Sequence, residues 1–190
     1  MDTVTDRAHI SVRDLTMAYG SFVIQSDLNF DVNRGDIFVI MGGSGCGKST
    51  LLKHMLGLLP PATGDIFYNG QSFTGASAEQ QETMRRSWGI TYQSGGMFSS
   101  MTLAENVALP LQLYTRNSAA DISEIVAYKL ALVGLAGYQE YYPSEISGGM
   151  RKRAALARAI ALEPEILFFD EPSAGLDPIS SRLLDDLIVQ

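Results

Sequence analysis

The sequence predicts a mixed α/β fold: a parallel core sheet, antiparallel strands near the N-terminus and an inserted, mostly helical lobe. Two observations carry the parallel sheet. Residues 37–41 and 166–169 are continuous apolar runs, the pattern of strands buried on both faces. Each is followed by helical sequence, which implies right-handed strand–helix–strand crossovers. The third observation is a change of character over 74–143, where polar stretches and helix-period stripes replace strands.

In chain order, residues 9–15 alternate loosely and predict a strand. Residues 22–32 predict a second, closed by the turn Asn33-Arg34-Gly35-Asp36. The buried run 37–41 comes next. Residues 49–59 predict a helix stopped by Pro60-Pro61. Residues 64–73 predict a strand pair about an Asn69-Gly70 turn. In the lobe, Ile122, Ile125, Val126, Leu130 and Val133 share one helix face, which predicts core packing. An Ala-rich helix over 147–162 is broken by Pro164, and a last helix starts near Ile179. The expected organisation is one domain, with 1–75 and 160–190 as the α/β core and 76–159 as a mostly helical subdomain.

Composition narrows the function classes. The 190 residues are 46% hydrophobic and 18% charged, which argues against disorder. Fourteen Lys and Arg against 21 Asp and Glu leave a net charge of −7. That balance lacks the basic footprint of a nucleic-acid binder, so no nucleic-acid partner is expected. A single cysteine, Cys46, excludes an internal disulfide and fits a reducing compartment. No run approaches the roughly 18 apolar residues of a spanning helix. The first seven residues have no apolar core, so they do not predict a signal peptide. A soluble cytosolic domain is expected, with any membrane role passing through a partner.

Gly42-Gly43-Ser44-Gly45-Cys46-Gly47-Lys48-Ser49 fits G-x-x-x-x-G-K-[ST] in full, after a predicted strand and before a predicted helix. Glycines let backbone N–H groups turn inward around a phosphate. The helix that follows adds unpaired N–H groups and a positive dipole end. Lys48 supplies a point charge to the β and γ oxygens, and the Ser49 hydroxyl is a Mg²⁺ ligand. Cys46 reads as a small filler or as a reactive thiol.

Asp170-Glu171 closes the run 166–169, and ligands in open α/β sheets gather at carboxyl ends of strands. If the runs 37–41 and 166–169 are sheet neighbours, the acidic pair and the phosphate loop meet. Asp170 then holds Mg²⁺, and Glu171 polarises an attacking water as general base. The alternative is a plain acidic cap before Pro172. Ser147-Gly148-Gly149-Met150 begins a helix with two poor helix formers after an N-cap serine. It is either an ordinary helix start with a glycine hinge or a second anion cradle. One nucleotide does not need two such cradles within one chain, whereas a symmetric dimer that sandwiches ATP does.

Residues 42–50, Gln93, residues 146–150, 166–171 and 173–177 occur in the order seen in ATP-binding cassette (ABC) ATPases. The resemblance covers nearly the whole chain. It implies a P-loop NTPase core of ABC type, a RecA-like parallel sheet, and a head-to-tail homodimer with two ATPs at its interface. By motif match, Gly42 through Thr50 hold the phosphates, and Tyr19 stacks on adenine, the alternative for Tyr19 being a core strand aromatic. Gln93 becomes the Q-loop residue that touches Mg²⁺ and the attacking water. Ser147, Gly148 and Gly149 act in trans on the second subunit's ATP, and Asp177 links the two sites. The implied partner is an integral membrane permease, expected to dock around Gln93 to Leu113, where Met97, Phe98, Met101 and Leu103 offer apolar contacts.

Met150 stands where most ABC signatures carry Gln. The run from Ser147 to Leu162, and the run from Gln93 through Ser94 to Ser100, resemble the ATPases that work with lipid-carrying MCE proteins, the Mla group. This implies phospholipid transport, with the subunit on the cytoplasmic face of the inner membrane and an MCE-type lipid-binding partner. An ABC importer for another substrate is the alternative. Soluble repair ATPases carry long coiled coils between the motifs, whereas about 55 residues separate Gln93 from Ser147. Translation-type members carry two cassettes and a charged linker. The family's switch histidine follows a further strand; His9 and His54 do not match it. A fragment lacking C-terminal core strands is therefore expected. It would bind nucleotide weakly and hydrolyse little, and a non-hydrolysing remnant is the third reading.

Overall fold

A computed structural model describes residues 8–93 and 95–189. The expected leaderless N-terminal heptapeptide, Ser94 and Gln190 lie outside the described residues. The chain forms two compact units that divide between Arg85 and Arg86.

The first unit is built on a sheet of order β2-β1-β3-β4, with β1 (Ala8–Tyr19), β2 (Phe22–Asn33), β3 (Thr63–Tyr68) and β4 (Gln71–Ser72). All its pairings are antiparallel. β1 is central, and its Ile10, Val12, Leu15 and Met17 are buried. The β3–β4 turn needs left-handed backbone at both central positions, met by Asn69 (φ 49°) and Gly70 (φ 76°). Helix α1 (Lys48–Met55) is held to this sheet by Leu51 and Met55 and by Tyr68, whose hydroxyl donates to Met55 O at 2.5 Å. Burial pushes the Tyr68 phenol well above its usual range. Helix α2 (Ala78–Arg85) ends the unit.

The second unit begins with β5 (Trp88–Thr91), which pairs in parallel with β6 (Ile166–Phe169). Around them lie α3 (Leu103–Tyr114), α4 (Ala119–Leu132), α5 (Gly148–Ala159) and α6 (Pro178–Val189). Thr102 and Ser118 start α3 and α4 with reciprocal capping boxes to Glu105 and Asp121. The expected stripe on α4 does pack inward: Val126, Leu130 and Val133 are buried, and Ile122 and Ile125 pack against them. Lys129, on the same helix, is buried and pairs with Glu163.

Two expectations are corrected. Residues 37–41 belong to neither sheet; Ile37 through Met41 are exposed, and the Phe38 ring stacks on Phe30 at 5.1 Å. Apolar composition states that such a run favours burial but not which strand it bonds to, and no ladder partner takes it up here. The second correction is β5, a strand inside the stretch read as helical. It supplies the parallel neighbour of β6, the place that residues 37–41 would have taken had the two runs been sheet neighbours. Its four residues are too few to show a period.

Candidate functional site

In the first unit the motif residues form a loop before α1. Gly45 (φ 80°) and Gly47 (φ 101°) are left-handed, where L-residues are strained. A Cβ on Gly42 would lie 2.5 Å from Cys46 Sγ, and one on Gly47 would lie 2.8 Å from Ile24 Cγ2. Cys46 thus fills the space beside Gly42. Gly47 caps α1 with no side-chain hydrogen bond, so the helix presents its N-terminal backbone uncapped. Lys48 Nζ donates to Gly42 O at 2.9 Å and to Gly43 O at 3.0 Å, holding the ammonium inside the curve of the loop. Ser44 is exposed beside it, and Ser49 and Thr50 follow in the first turn of α1. The chemistry of this set, a fixed ammonium and an uncapped helix start, fits a phosphate group. Tyr19 ends β1 at a hairpin tip and is 50% exposed, so it is not a core aromatic.

In the second unit, the parallel register sets Thr91 beside Phe169, so Gln93 and Glu171 leave the same end of the pair. Asp170 N–H continues the ladder by donating to Thr91 O at 3.0 Å. Gln93 Nε2 then donates to Glu171 Oε2 at 3.1 Å. Glu171 is held at φ 48°, a conformation that costs a non-glycine residue about 1–3 kcal/mol.

Ser147 is the N-cap of α5 and accepts from Met150 N–H at 3.2 Å. A Cβ on Gly149 would come within 3.0 Å of Ser180, so α6 itself approaches that glycine closely. At Gly148 only the Arg151 guanidinium lies near, at 3.8 Å. Asp177 Oδ1 accepts from Ile179 N–H at 3.1 Å and Ser180 N–H at 3.0 Å, capping α6. A hydrogen bond from the Ser180 side chain, followed by those backbone bonds, holds its carboxyl below the usual carboxylate range.

Three residues that no motif singled out hold the loops around Gln93 and Glu171 within this unit. Lys152 Nζ donates to Pro172 O at 2.7 Å and Ala174 O at 2.6 Å. Burial lowers its pKa, while the charge of Glu171 acts the other way. Arg158 donates to Gly96 O at 2.9 Å and Gly95 O at 3.4 Å. Asn106, fully buried, bonds Phe98 N–H and the carbonyls of Phe98, Met101 and Thr102. Both cations lie on a helix whose Ala154, Ala155, Leu156 and Ala157 are buried, and that contrast was the available signal. Of the apolar residues expected to face a permease, Phe98 is 50% exposed, but Leu103 is fully buried in the core. Leu103 is therefore withdrawn from that set. Among the described residues no group of three or more His, Cys, Asp or Glu forms a metal cluster. No described helix is long and apolar enough to cross a membrane.

The family model described as ABC transporter matches residues 25–174. The chain belongs to the ABC transporter family. This ABC chain is 44% identical over 95% of its length to the Mycobacterium leprae protein named probable ribonucleotide transport ATP-binding protein mkl. It is 45% identical over 94% of its length to the Haemophilus influenzae intermembrane phospholipid transport system ATP-binding protein MlaF, and 42% identical to that of Escherichia coli. It spans 52% of the mkl protein and 68% and 66% of the two MlaF proteins. Among solved structures it is similar to cbiO1 from Clostridium perfringens, with TM-score 0.87, 28% identity and coverage of 96% of this chain and 73% of that one. A dimeric ATP-binding cassette in a post-hydrolysis state, bound to ADP and Pi, gives TM-score 0.85 and 27% identity over 94% of this chain and 81% of that one. The ABC ATPase fold expected from the sequence is thereby shown.

Proposed function

We propose that this chain is the ATP-binding and ATP-hydrolysing part of an ABC transporter subunit that moves phospholipid. The observation that carries the catalytic reading is the Gln93–Glu171 hydrogen bond, which pairs an amide with a carboxylate 78 residues away in sequence. In this reading Glu171 takes the proton of an attacking water, and Gln93 orients that water and the carboxylate. Lys48 and the N–H groups of residues 42–50 bind the phosphates. Tyr19 stacks on the base. Ser49, Asp170 and the Gln93 carbonyl are the hard oxygen donors that suit Mg²⁺. When bound, that ion neutralises charge on the phosphate oxygens. Ser147, Gly148 and Gly149 contact the ATP of a second subunit in a head-to-tail homodimer, and Asp177 joins the two halves. Residues 1–75 and 160–190 serve as the core and 76–159 as the helical subdomain.

The lipid assignment rests on the MlaF relatives. It brings with it an integral membrane permease, an MCE-type lipid-binding partner and a peripheral position on the cytoplasmic face of the inner membrane. The mkl relative favours a second reading, ribonucleotide transport. ATP turnover of the subunit reconstituted with its permease separates the two. Stimulation by phospholipid vesicles and not by ribonucleotides is the expected result; the reverse selects the second reading. Turnover unaffected by Lys48→Ala would discard both.

A further inference from the structure

Helix α5 carries two cations whose donors are spent on the backbone of the two loops that bear Gln93 and Glu171. Lys152 Nζ reaches the carbonyls of Pro172 and Ala174, immediately after Glu171, at 2.7 and 2.6 Å, with Glu171 O at 3.5 Å. Arg158 reaches the carbonyls of Gly95 and Gly96, just beyond Gln93, at 2.9 and 3.4 Å. Its guanidinium also lies over the Phe98 ring at 5.9 Å. Six residues apart, the two side chains leave the helix about 120° from one another, so each addresses a different loop.

The loops need such support. Gly95 (φ 80°) and Gly96 (φ 58°) have no side chains with which to pin their segment. Ala174 N–H closes the other turn onto Glu171 O at 3.1 Å, and Leu176 N–H onto Ser173 O at 3.2 Å. These are single bonds, in a turn that also holds Glu171 left-handed. A charged donor shared among several carbonyls is stronger than a neutral one. Lys152 lines a small cleft together with Thr91, Tyr92, Leu156, Phe169 and Pro172.

We infer that Lys152 and Arg158 are positioning residues that set the Gln93–Glu171 pair from α5, so that a displacement of the Ser147 end of that helix is passed to the pair. This rests on the reading of Glu171 as general base. Neither cation touches the reacting atoms; each acts through a loop.

The test compares Lys152→Met, Lys152→Arg and Arg158→Met with the wild-type subunit, measuring kcat and KM for Mg-ATP and hydrogen exchange of residues 171–177. Misplacing a reacting group by about 1 Å costs up to about a hundredfold in rate. The expected result for Lys152→Met is kcat down about tenfold or more, KM within about twofold and faster exchange over 171–177. Lys152→Arg, which keeps the charged donors, recovers most of the rate. Arg158→Met lowers kcat without changing exchange over 171–177. Wild-type kcat in both Met variants overturns the inference. So does a loss in Lys152→Met that tracks lowered thermal stability and is not recovered by Arg. Glu171→Gln, assayed in parallel, tests the underlying reading separately. If that variant turns over at the wild-type rate, Glu171 leaves the chemistry, and the exchange result alone decides whether Lys152 holds the turn.

Discussion

Gln93 Nε2 and Glu171 Oε2 lie 3.1 Å apart, at the same end of two strands paired in parallel. The strands place the two backbones, and the side chains close the gap. Replacing Glu171 by Gln keeps the size and removes the proton acceptor. General base catalysis is worth about 10²–10⁴-fold, so turnover is expected to fall by that range with ATP binding retained. Phosphate release measured beside equilibrium nucleotide binding checks it.

Lys48 is held by the carbonyls of Gly42 and Gly43. Lys48→Ala removes a charge-assisted donor worth about 1.5–3 kcal/mol, so ATP affinity is expected to fall about 10- to 100-fold. Titration with a fluorescent ATP analogue reads this directly. Unchanged affinity would remove the loop from phosphate binding.

Gly43 and Gly89 separate function from packing. A Cβ at Gly43 meets nothing within 4 Å, so Gly43→Ala is expected to leave the melting temperature unchanged. A Cβ at Gly89 would lie 2.4 Å from Ala159 O and 2.5 Å from Leu167 Cδ2. Gly89→Ala is expected to destabilise by about 1–3 kcal/mol, read in a denaturant melt.

Asn106 bonds Phe98 N–H at 2.8 Å and the carbonyls of Phe98, Met101 and Thr102 at 3.0, 3.1 and 2.9 Å. Asn106→Leu keeps the branched shape but removes these side-chain bonds; Thr102 O keeps its bond from the residue 106 N–H, while Phe98 N–H and the Phe98 and Met101 carbonyls lose theirs. Each buried orphan costs about 1–3 kcal/mol, so unfolding at lower denaturant is expected. Asn106→Asp, which when protonated keeps an acceptor toward Phe98 N–H and a donor toward the carbonyls, should lose less at low pH than at high pH, where a buried carboxylate would face those carbonyls.

His54 is almost fully buried and its Nδ1 donates to Leu59 O at 2.8 Å. Burial lowers its pKa below the ordinary 6.5. The unfolded chain therefore takes up the proton first. Stability from the neutral ring is complete above pH 6.5. It is lost as the pH falls through the folded pKa, by at most about 1.4 kcal/mol per unit. His54→Met should flatten the melting profile in that window. The carboxyls of Asp31 and Asp177, lowered from 3.8, add a separate loss only below that value.

The sequence by itself determined the local chemistry. The Gly42–Ser49 loop, the Asn69-Gly70 turn, the Ser147 cap, the α4 stripe and the β6 run are all read from residues close together in the chain. Their physics is equally local: left-handed glycines, capping oxygens, helical period. Tertiary structure alone decided which strand pairs with β6, because ladder bonds join residues about 80 positions apart and any apolar run of suitable length could bid for the place. It also decided that residues 37–41 lie outside both sheets and that Leu103 faces inward. The cations of α5 were legible as charges, not as clasps. Which carbonyls a long side chain reaches depends on how the loops return to the helix, and no spacing in the sequence encodes that.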